Sequence, residues 1–146
     1  MREKRQIQMP LLTPAIAHPH AEELCRISKV LESIPTISEM VWQDLTRDAH
    51  GPAGACGMSA EQVVRAAIVK NMNGFSYDEL AFHLIDSRCY RHFCRIGFAQ
   101  EGFSKSTLHA TIKALRPGRR FIASLSLMVK TKKSKPAGKP ESTARL

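Results

Sequence analysis

The sequence has little of what a membrane-spanning or secreted protein requires. A strongly apolar run at residues 121–129 is well short of the roughly 20 residues that a membrane-spanning helix needs. The charged residues 1–5 are followed by no apolar core of a signal peptide. No CxxC pair occurs among the four cysteines, Cys25, Cys56, Cys89 and Cys94. We therefore expect a cytoplasmic protein with free thiols and no disulfide framework.

Sustained alternation of apolar and polar residues, the pattern of a half-buried β-strand, is also missing. From residue 20 onward, apolar residues recur at spacings of three and four, which is typical of amphipathic helices. The hydrophobic content of 43% over 146 residues is sufficient for one packed core. We predict an all-α fold, a compact bundle of about six short helices that ends in a helix-turn-helix-like pair and is followed by a disordered basic tail.

Capping residues mark where these helices begin and end. Ser59 with Gln62, and Ser76 with Glu79, have the spacing of a capping box at a helix N-terminus. In this motif the side chain of each residue accepts a hydrogen bond from the backbone amide of the other. Gly74 and Gly97 are expected to terminate helices because glycine adopts the left-handed conformation readily. The predicted helices span residues 20–34, a segment beginning at Thr36, a segment from Ser59 to 73, a segment beginning at Ser76, residues 88–96, and a segment capped by Ser104 or Ser106 and closed by residues 116–118.

The charge is unevenly distributed along the chain. Residues 116–146 carry nine basic side chains against the single acid Glu141, out of a net charge of +9 for the whole sequence. Such a tail attracts any polyanion and identifies no specific partner. We divide the chain into an N-terminal arm (1–19), a helical domain (20–117) and a basic tail of low order (118–146).

A second change in charge lies within the helical domain. Residues 20–86 contain five basic and ten acidic side chains, whereas residues 87–115 contain five basic side chains and only Glu101. The basic segment consists of a predicted short helix, a turn at 97–102 and a second helix, which is the order of a helix-turn-helix with a lengthened turn. The second helix would enter the major groove while the first lies across the phosphate backbone.

This arrangement identifies candidate DNA-binding residues. For the recognition helix we predict Lys105, Ser106, Thr107, His109 and Lys113, and for contacts to the DNA backbone Arg88, Arg91 and Arg95. A helix pair with a solvated, charged outer face has the same residue spacing, so periodicity alone leaves both interpretations open.

Candidate metal ligands and catalytic groups are less convincing. Cys89, His92 and Cys94 lie close together in sequence, and His83 is nearby. Cys89 and Cys94 are five positions apart, so they point to different faces of a helix, which does not suit a zinc site. We expect no metal, no cofactor and no catalytic residue.

Two stretches of the sequence resemble a known family. Residues 57–67 (GMSAEQVVRAA) and 73–84 (NGFSYDELAFHL) are similar to the InsH-like amino-terminal domain of bacterial insertion-sequence transposases. The similarity continues through 90–97 (YRHFCRIG) and 104–108 (SKSTL) and covers about residues 1–117. The resemblance implies a helical domain that binds double-stranded DNA at the terminal inverted repeats of the element, and therefore a protein associated with the nucleoid.

The resemblance also implies a second domain. In that family an RNase H-like domain follows, with an Asp-Asp-Glu triad that binds metal and cleaves DNA, but no strand-like segment bearing Asp follows Pro117 here. We therefore expect a truncated transposase that is not an enzyme, and our hypothesis for its origin is a frameshift or internal stop in a decaying element. Two alternatives are a module that inhibits full-length transposase through mixed or homo-oligomers, and a pseudogene product without function.

Overall fold

The structure is a computed structural model that describes residues 18–47 and 57–115. Within these two ranges the regular structure is entirely helical, which confirms the all-α prediction, and six helices form a compact bundle. They are α1 (Pro19–Ser33), α2 (Thr36–Arg47), α3 (Ala60–Asn73), α4 (Tyr77–Asp86), α5 (Arg88–Phe93) and α6 (Lys105–Lys113). The predictions for the N-terminal arm up to residue 17 and for the basic tail lie outside the described residues.

The predicted helix caps are present. Ser59 Oγ accepts a hydrogen bond from the Gln62 amide at 3.2 Å, and Gln62 Oε1 accepts one from the Ser59 amide at 3.0 Å. Ser76 and Glu79 make the same reciprocal pair at the start of α4. Gly74 ends α3 with φ of 68°, the left-handed conformation. These local signals correctly locate the ends of the two central helices.

Helix α3 lies at the centre of the core. Every residue from Met58 to Val69 is buried, and α2, α4 and α6 all pack against this helix. Leu80 and Leu84 of α4 and Leu108 of α6 are fully buried on this core. Burial of these aliphatic side chains, each contributing roughly 1.5–3 kcal/mol, is the main favourable term in assembling the bundle. None of the described helices is long and apolar enough to cross a bilayer.

The predicted end of α5 is wrong. The helix stops at Phe93, not at residue 96, and the left-handed residue that follows is Arg95, with φ of 53°, rather than Gly97. The amide of Ile96 donates to the Arg91 carbonyl at 3.0 Å, and the Arg95 amide donates to the His92 carbonyl at 3.2 Å, which is a Schellman motif. Arginine replaces the expected glycine because ion pairs hold its side chain, as described below.

Helix α4 organises the C-terminal part of the bundle, because both α5 and α6 pack against it. The connection from α5 to α6 passes close to the end of α4, where a Cβ added to Gly102 would lie only 2.7 Å from Ile85 Cγ1. Gly102 also has a φ of 116°, so this position requires glycine for both space and backbone conformation. The connection therefore places the first turn of α6 beside α4.

Candidate nucleic-acid interface

The outer surface of α6 carries most of the side chains predicted to read DNA. Ser104 caps the helix by accepting a hydrogen bond from the Thr107 amide at 3.3 Å, and Leu108 and Ile112 point into the core. The opposite side exposes Lys105, Ser106, His109 and Lys113. Because the residues at 105, 109 and 113 are spaced by four, their side chains form one stripe. The helix contains no carboxylate.

Thr107 is the exception among the predicted recognition residues. Its side chain is half-buried, and its hydroxyl lies 2.9 Å from Ser104 Oγ. Ser106 Oγ also lies 3.0 Å from Ser104 Oγ, so three hydroxyl groups cluster at the start of α6. Hydroxyls in such a cluster can rotate to donate to, or accept from, a polar group that approaches the helix.

One edge of this surface is built by Tyr77, the first residue of α4. Its ring meets the His109 ring edge to face, with 4.9 Å between centroids, and the Lys70 ammonium lies 4.7 Å from the Tyr77 centroid. This cation–π contact joins the last turn of α3 to Tyr77, which in turn contacts His109 of α6. Sequence analysis missed Lys70, because it lies in the acidic part of the chain and no spacing links it to α6.

A second contact between α4 and α6 is electrostatic. Lys105 Nζ lies 2.6 Å from Asp78 Oδ2, and both side chains are largely exposed, at 61% and 68% respectively. An acid therefore lies beside the first cation of the α6 stripe. The two residues are 27 positions apart.

Arg91 is directed toward the protein's own backbone. Its Nη2 donates to the carbonyls of Gly97 and Gln100 at 2.9 and 2.6 Å, and its Nη1 donates to the Leu84 carbonyl at 3.5 Å. The turn is further closed by Gln100 Oε1, which accepts from the Gly97 amide at 2.9 Å. The guanidinium of Arg91 therefore holds the turn between α5 and α6 in place.

Arg95 is also engaged within the protein, whereas Arg88 is exposed. The Arg95 guanidinium lies 2.7 Å from Glu32 Oε1 on α1 and 3.1 Å from Glu61 Oε1 on α3. Arg88 stands at the first position of α5 with its side chain in solvent. Of the three arginines expected to contact the DNA backbone, Arg88 is the one that the fold leaves on the surface.

Beneath Arg95 lies a buried arginine, Arg65, whose side chain is 1% exposed. Its Nε donates to Glu61 Oε1 at 3.2 Å, and its Nη1 donates to Ser28 Oγ and to the Phe93 carbonyl at 2.9 and 3.0 Å. Burial lowers the pKa of Arg65, and Arg95 acts in the same direction while Glu61 opposes both. These contacts join α1, α3 and α5, so the cluster is best explained as structural.

The residues considered as zinc ligands are separated by the fold. Cys94 is fully buried, and burial raises the pKa of its thiol to about 12. The His83 ring is stacked on Phe75 with 4.4 Å between centroids. Among the described residues no group of three potential metal ligands comes together, and Cys25, Cys89 and Cys94 are free thiols. Cys56 lies outside the described ranges.

The fold and this site define a small helical domain in which α6 presents a basic stripe and a cluster of hydroxyl groups at its start. Comparison of the chain with models of protein families, with curated proteins and with solved structures yields no match. The resemblance to transposase domains therefore depends on the sequence motifs described above.

Proposed function

We propose that this protein binds double-stranded DNA through the outer face of α6, as the amino-terminal domain of an insertion-sequence transposase does at terminal inverted repeats. The observation that carries the proposal is the exposed stripe of Lys105, His109 and Lys113 on a helix without carboxylates, extended by Lys70. Lysine side chains in such a stripe neutralise phosphates, while the hydroxyl cluster at the helix start supplies donors and acceptors for base edges. The proposed activity is binding without catalysis.

The dimensions of α6 suit this role. An α-helix with its side chains is about 10–12 Å in diameter, which fits a B-DNA major groove roughly 12 Å wide, and the nine residues of α6 extend about 13 Å along the helix axis. Arg88 at the start of α5 is assigned to a phosphate contact beside the groove. Arg91 and Arg95 are assigned to holding the turn and the end of α5, because their guanidinium groups already donate to protein acceptors.

The test is fluorescence-anisotropy titration of the full chain with two duplexes, one from the inverted repeat that flanks the coding sequence and one scrambled. Lys105→Ala/Lys113→Ala is compared with Arg26→Ala/Lys29→Ala, which removes the same charge from α1. We expect the first pair to lower the slope of log K against log salt by between about 0.9 and about 1.8, since each phosphate contact contributes about 0.9 and Lys105 also pairs with Asp78. The second pair should change the slope little.

An equal decrease of the salt slope in both double variants contradicts the proposal, because it would mean that net charge, not α6, drives binding. A preference for the inverted repeat that disappears in the Lys105→Ala/Lys113→Ala variant supports recognition by α6. If the wild-type chain binds both duplexes equally and loses both at physiological salt, specific recognition is excluded.

A second candidate function is interaction with another protein, intact transposase, as a trans-dominant inhibitor. The observation that favours it is an exposed apolar group at the end of α4 and in the adjoining turn: Phe82 and Ile85 are 61% and 54% exposed, and Phe98 is fully exposed. Solvent-exposed aromatic side chains are enriched in protein interfaces. Arg91 donates hydrogen bonds to the carbonyls of Gly97 and Gln100 on either side of Phe98, and these bonds hold Phe98 in its exposed position.

Phe82→Ser/Phe98→Ser tests this second function in light scattering of the chain mixed with intact transposase. Loss of a mixed oligomer, with unchanged DNA affinity, would support it. If neither DNA binding nor a mixed oligomer is found, the interpretation of a pseudogene product is favoured.

A further inference from the structure

Asp78 lies beside the proposed DNA-binding surface. It lies in the first turn of α4, and its carboxylate contacts the Lys105 ammonium at 2.6 Å. The neighbouring acid, Glu79, serves the capping box through a 2.7 Å hydrogen bond from the Ser76 amide, but Asp78 takes no part in that box. Its carboxylate instead pairs with Lys105, the lysine that begins the α6 stripe.

We propose that Asp78 limits the affinity of this surface for DNA by competing with phosphate for Lys105, an inference that rests on the proposed function. A phosphate oxygen within hydrogen-bonding distance of the Lys105 ammonium would approach the Asp78 carboxylate closely. The two anions repel each other, and one unit of the positive charge of the stripe is already neutralised. DNA must therefore displace Asp78 or tolerate it.

Because the Asp78–Lys105 pair is exposed, Asp78 competes with DNA for Lys105 but does not prevent DNA from binding. Both side chains are more than 60% exposed, and ion pairs in such a position are weak and are screened by salt. Lys105 can exchange one oxygen partner for another at small cost. The effect on sequence-independent binding is the largest, because that mode depends almost wholly on phosphate neutralisation.

Asp86 offers a matched control for Asp78. It is exposed and lies at the other end of the same helix. Asp78→Asn and Asp86→Asn each raise the net charge by one unit and keep the size of the side chain. Asp78→Asn also leaves the Ser76–Glu79 capping box intact, so the start of α4 is expected to remain folded.

The experiment is anisotropy titration of the full chain and these variants with the inverted-repeat and scrambled duplexes at low and near-physiological salt. We expect Asp78→Asn to tighten binding at low salt about three- to tenfold, and to steepen the salt slope by up to about 0.9, through release of Lys105. Asp86→Asn should give less than half of that gain. In a Lys105→Ala background, Asp78→Asn should give little gain, because the two residues act as a pair.

The outcomes separate this inference from the function on which it rests. Equal gains in DNA affinity from Asp78→Asn and Asp86→Asn overturn the inference, and so does a full gain in affinity that persists in the Lys105→Ala background. Neither result contradicts the proposed DNA-binding function. Binding that appears only in Asp78→Asn supports the inference, since wild-type affinity would then be suppressed by this carboxylate. If neither the wild-type chain nor Asp78→Asn binds either duplex at low salt, the proposed function and the inference both fail.

Discussion

Arg95 and Glu32 form an ion pair that joins the end of α5 to α1 across 63 positions of sequence, with 2.7 Å between Nη2 and Oε1. Arg95 does this from a left-handed backbone conformation, φ of 53°, which is unfavourable for a residue with a Cβ atom. A second contact, from Arg95 Nε to Glu61 at 3.1 Å, reaches α3. The turn after α5 is therefore stabilised by contacts from two other helices.

Two substitutions of Arg95 distinguish the contribution of its ion pairs to stability from that of its backbone conformation. Arg95→Ala loses the contacts with Glu32 and Glu61 but keeps the strained backbone, and we expect its free energy of unfolding to fall by about 1.5–3 kcal/mol. Arg95→Gly loses the same contacts and relieves the strain, so it should be about 1 kcal/mol more stable than Arg95→Ala. Urea denaturation at neutral pH measures both. A glycine variant less stable than the alanine variant would contradict the role of the left-handed conformation.

Arg65 is expected to be critical for stability. Arg65→Ala removes a buried guanidinium from beside Glu61 and leaves the Phe93 carbonyl without this donor, and we expect a loss of about 3–5 kcal/mol in unfolding free energy. The control is Arg26→Ala, which removes an exposed arginine paired with Glu22 one helical turn away and should cost less than about 1 kcal/mol. Thermal and urea denaturation give both values. Similar losses in the two variants would show that burial of Arg65 contributes nothing special.

Arg91→Ala should reduce stability and Arg88→Ala should reduce DNA binding, although the two residues are three positions apart on the same helix. Arg91→Ala removes the donors to the turn carbonyls of Gly97 and Gln100, so its unfolding free energy should fall by about 1.5–3 kcal/mol. Arg88→Ala should leave stability within about 0.5 kcal/mol of wild type, because this side chain is exposed. If Arg88 contacts a phosphate, its loss should reduce the salt slope of DNA binding by about 0.9.

The measurements are urea denaturation and salt-dependent anisotropy on the same preparations of both variants. A stable Arg91→Ala protein would show that the turn does not need its guanidinium. An unchanged salt slope in Arg88→Ala would remove Arg88 from the proposed DNA surface.

The capping box of α4 should make stability depend on acidic pH. The Ser76 amide donates to the Glu79 carboxylate at 2.7 Å, and this backbone hydrogen bond, together with the Ser76 side chain, lowers the pKa of Glu79 below 4.5. A lowered pKa in the folded state means that the charged form stabilises the fold. This contribution is fully present above pH 4.5 and is lost as pH falls through the folded-state pKa.

Glu79→Gln keeps a hydrogen-bond acceptor at this position but cannot titrate. We therefore expect the stability difference between wild type and Glu79→Gln to be largest near neutral pH and to narrow as pH is lowered toward 3. Chemical denaturation across this range measures the difference. A gap that stays constant with pH would show that the charge of Glu79 does not contribute to the cap.

The helical class and most helix boundaries can be predicted from local sequence patterns, because the chemistry of a helix end lies within about four residues of it. Ser59 with Gln62, Ser76 with Glu79, and Gly74 are confirmed as caps for this reason. The outward positions of α6 also followed from periodicity, since Leu108 and Ile112 had to face the core.

The end of α5 and the composition of the basic surface depend on contacts between helices. A left-handed Arg95 is stabilised by acids on α1 and α3, and no local pattern contains that information. Periodicity placed Arg88 and Arg91 in one basic helix, but only packing shows that one faces solvent and the other holds a turn. Lys70 and Asp78 join the α6 stripe because α3 and α4 pack beside it, and contacts between residues distant in sequence depend on how the helices assemble.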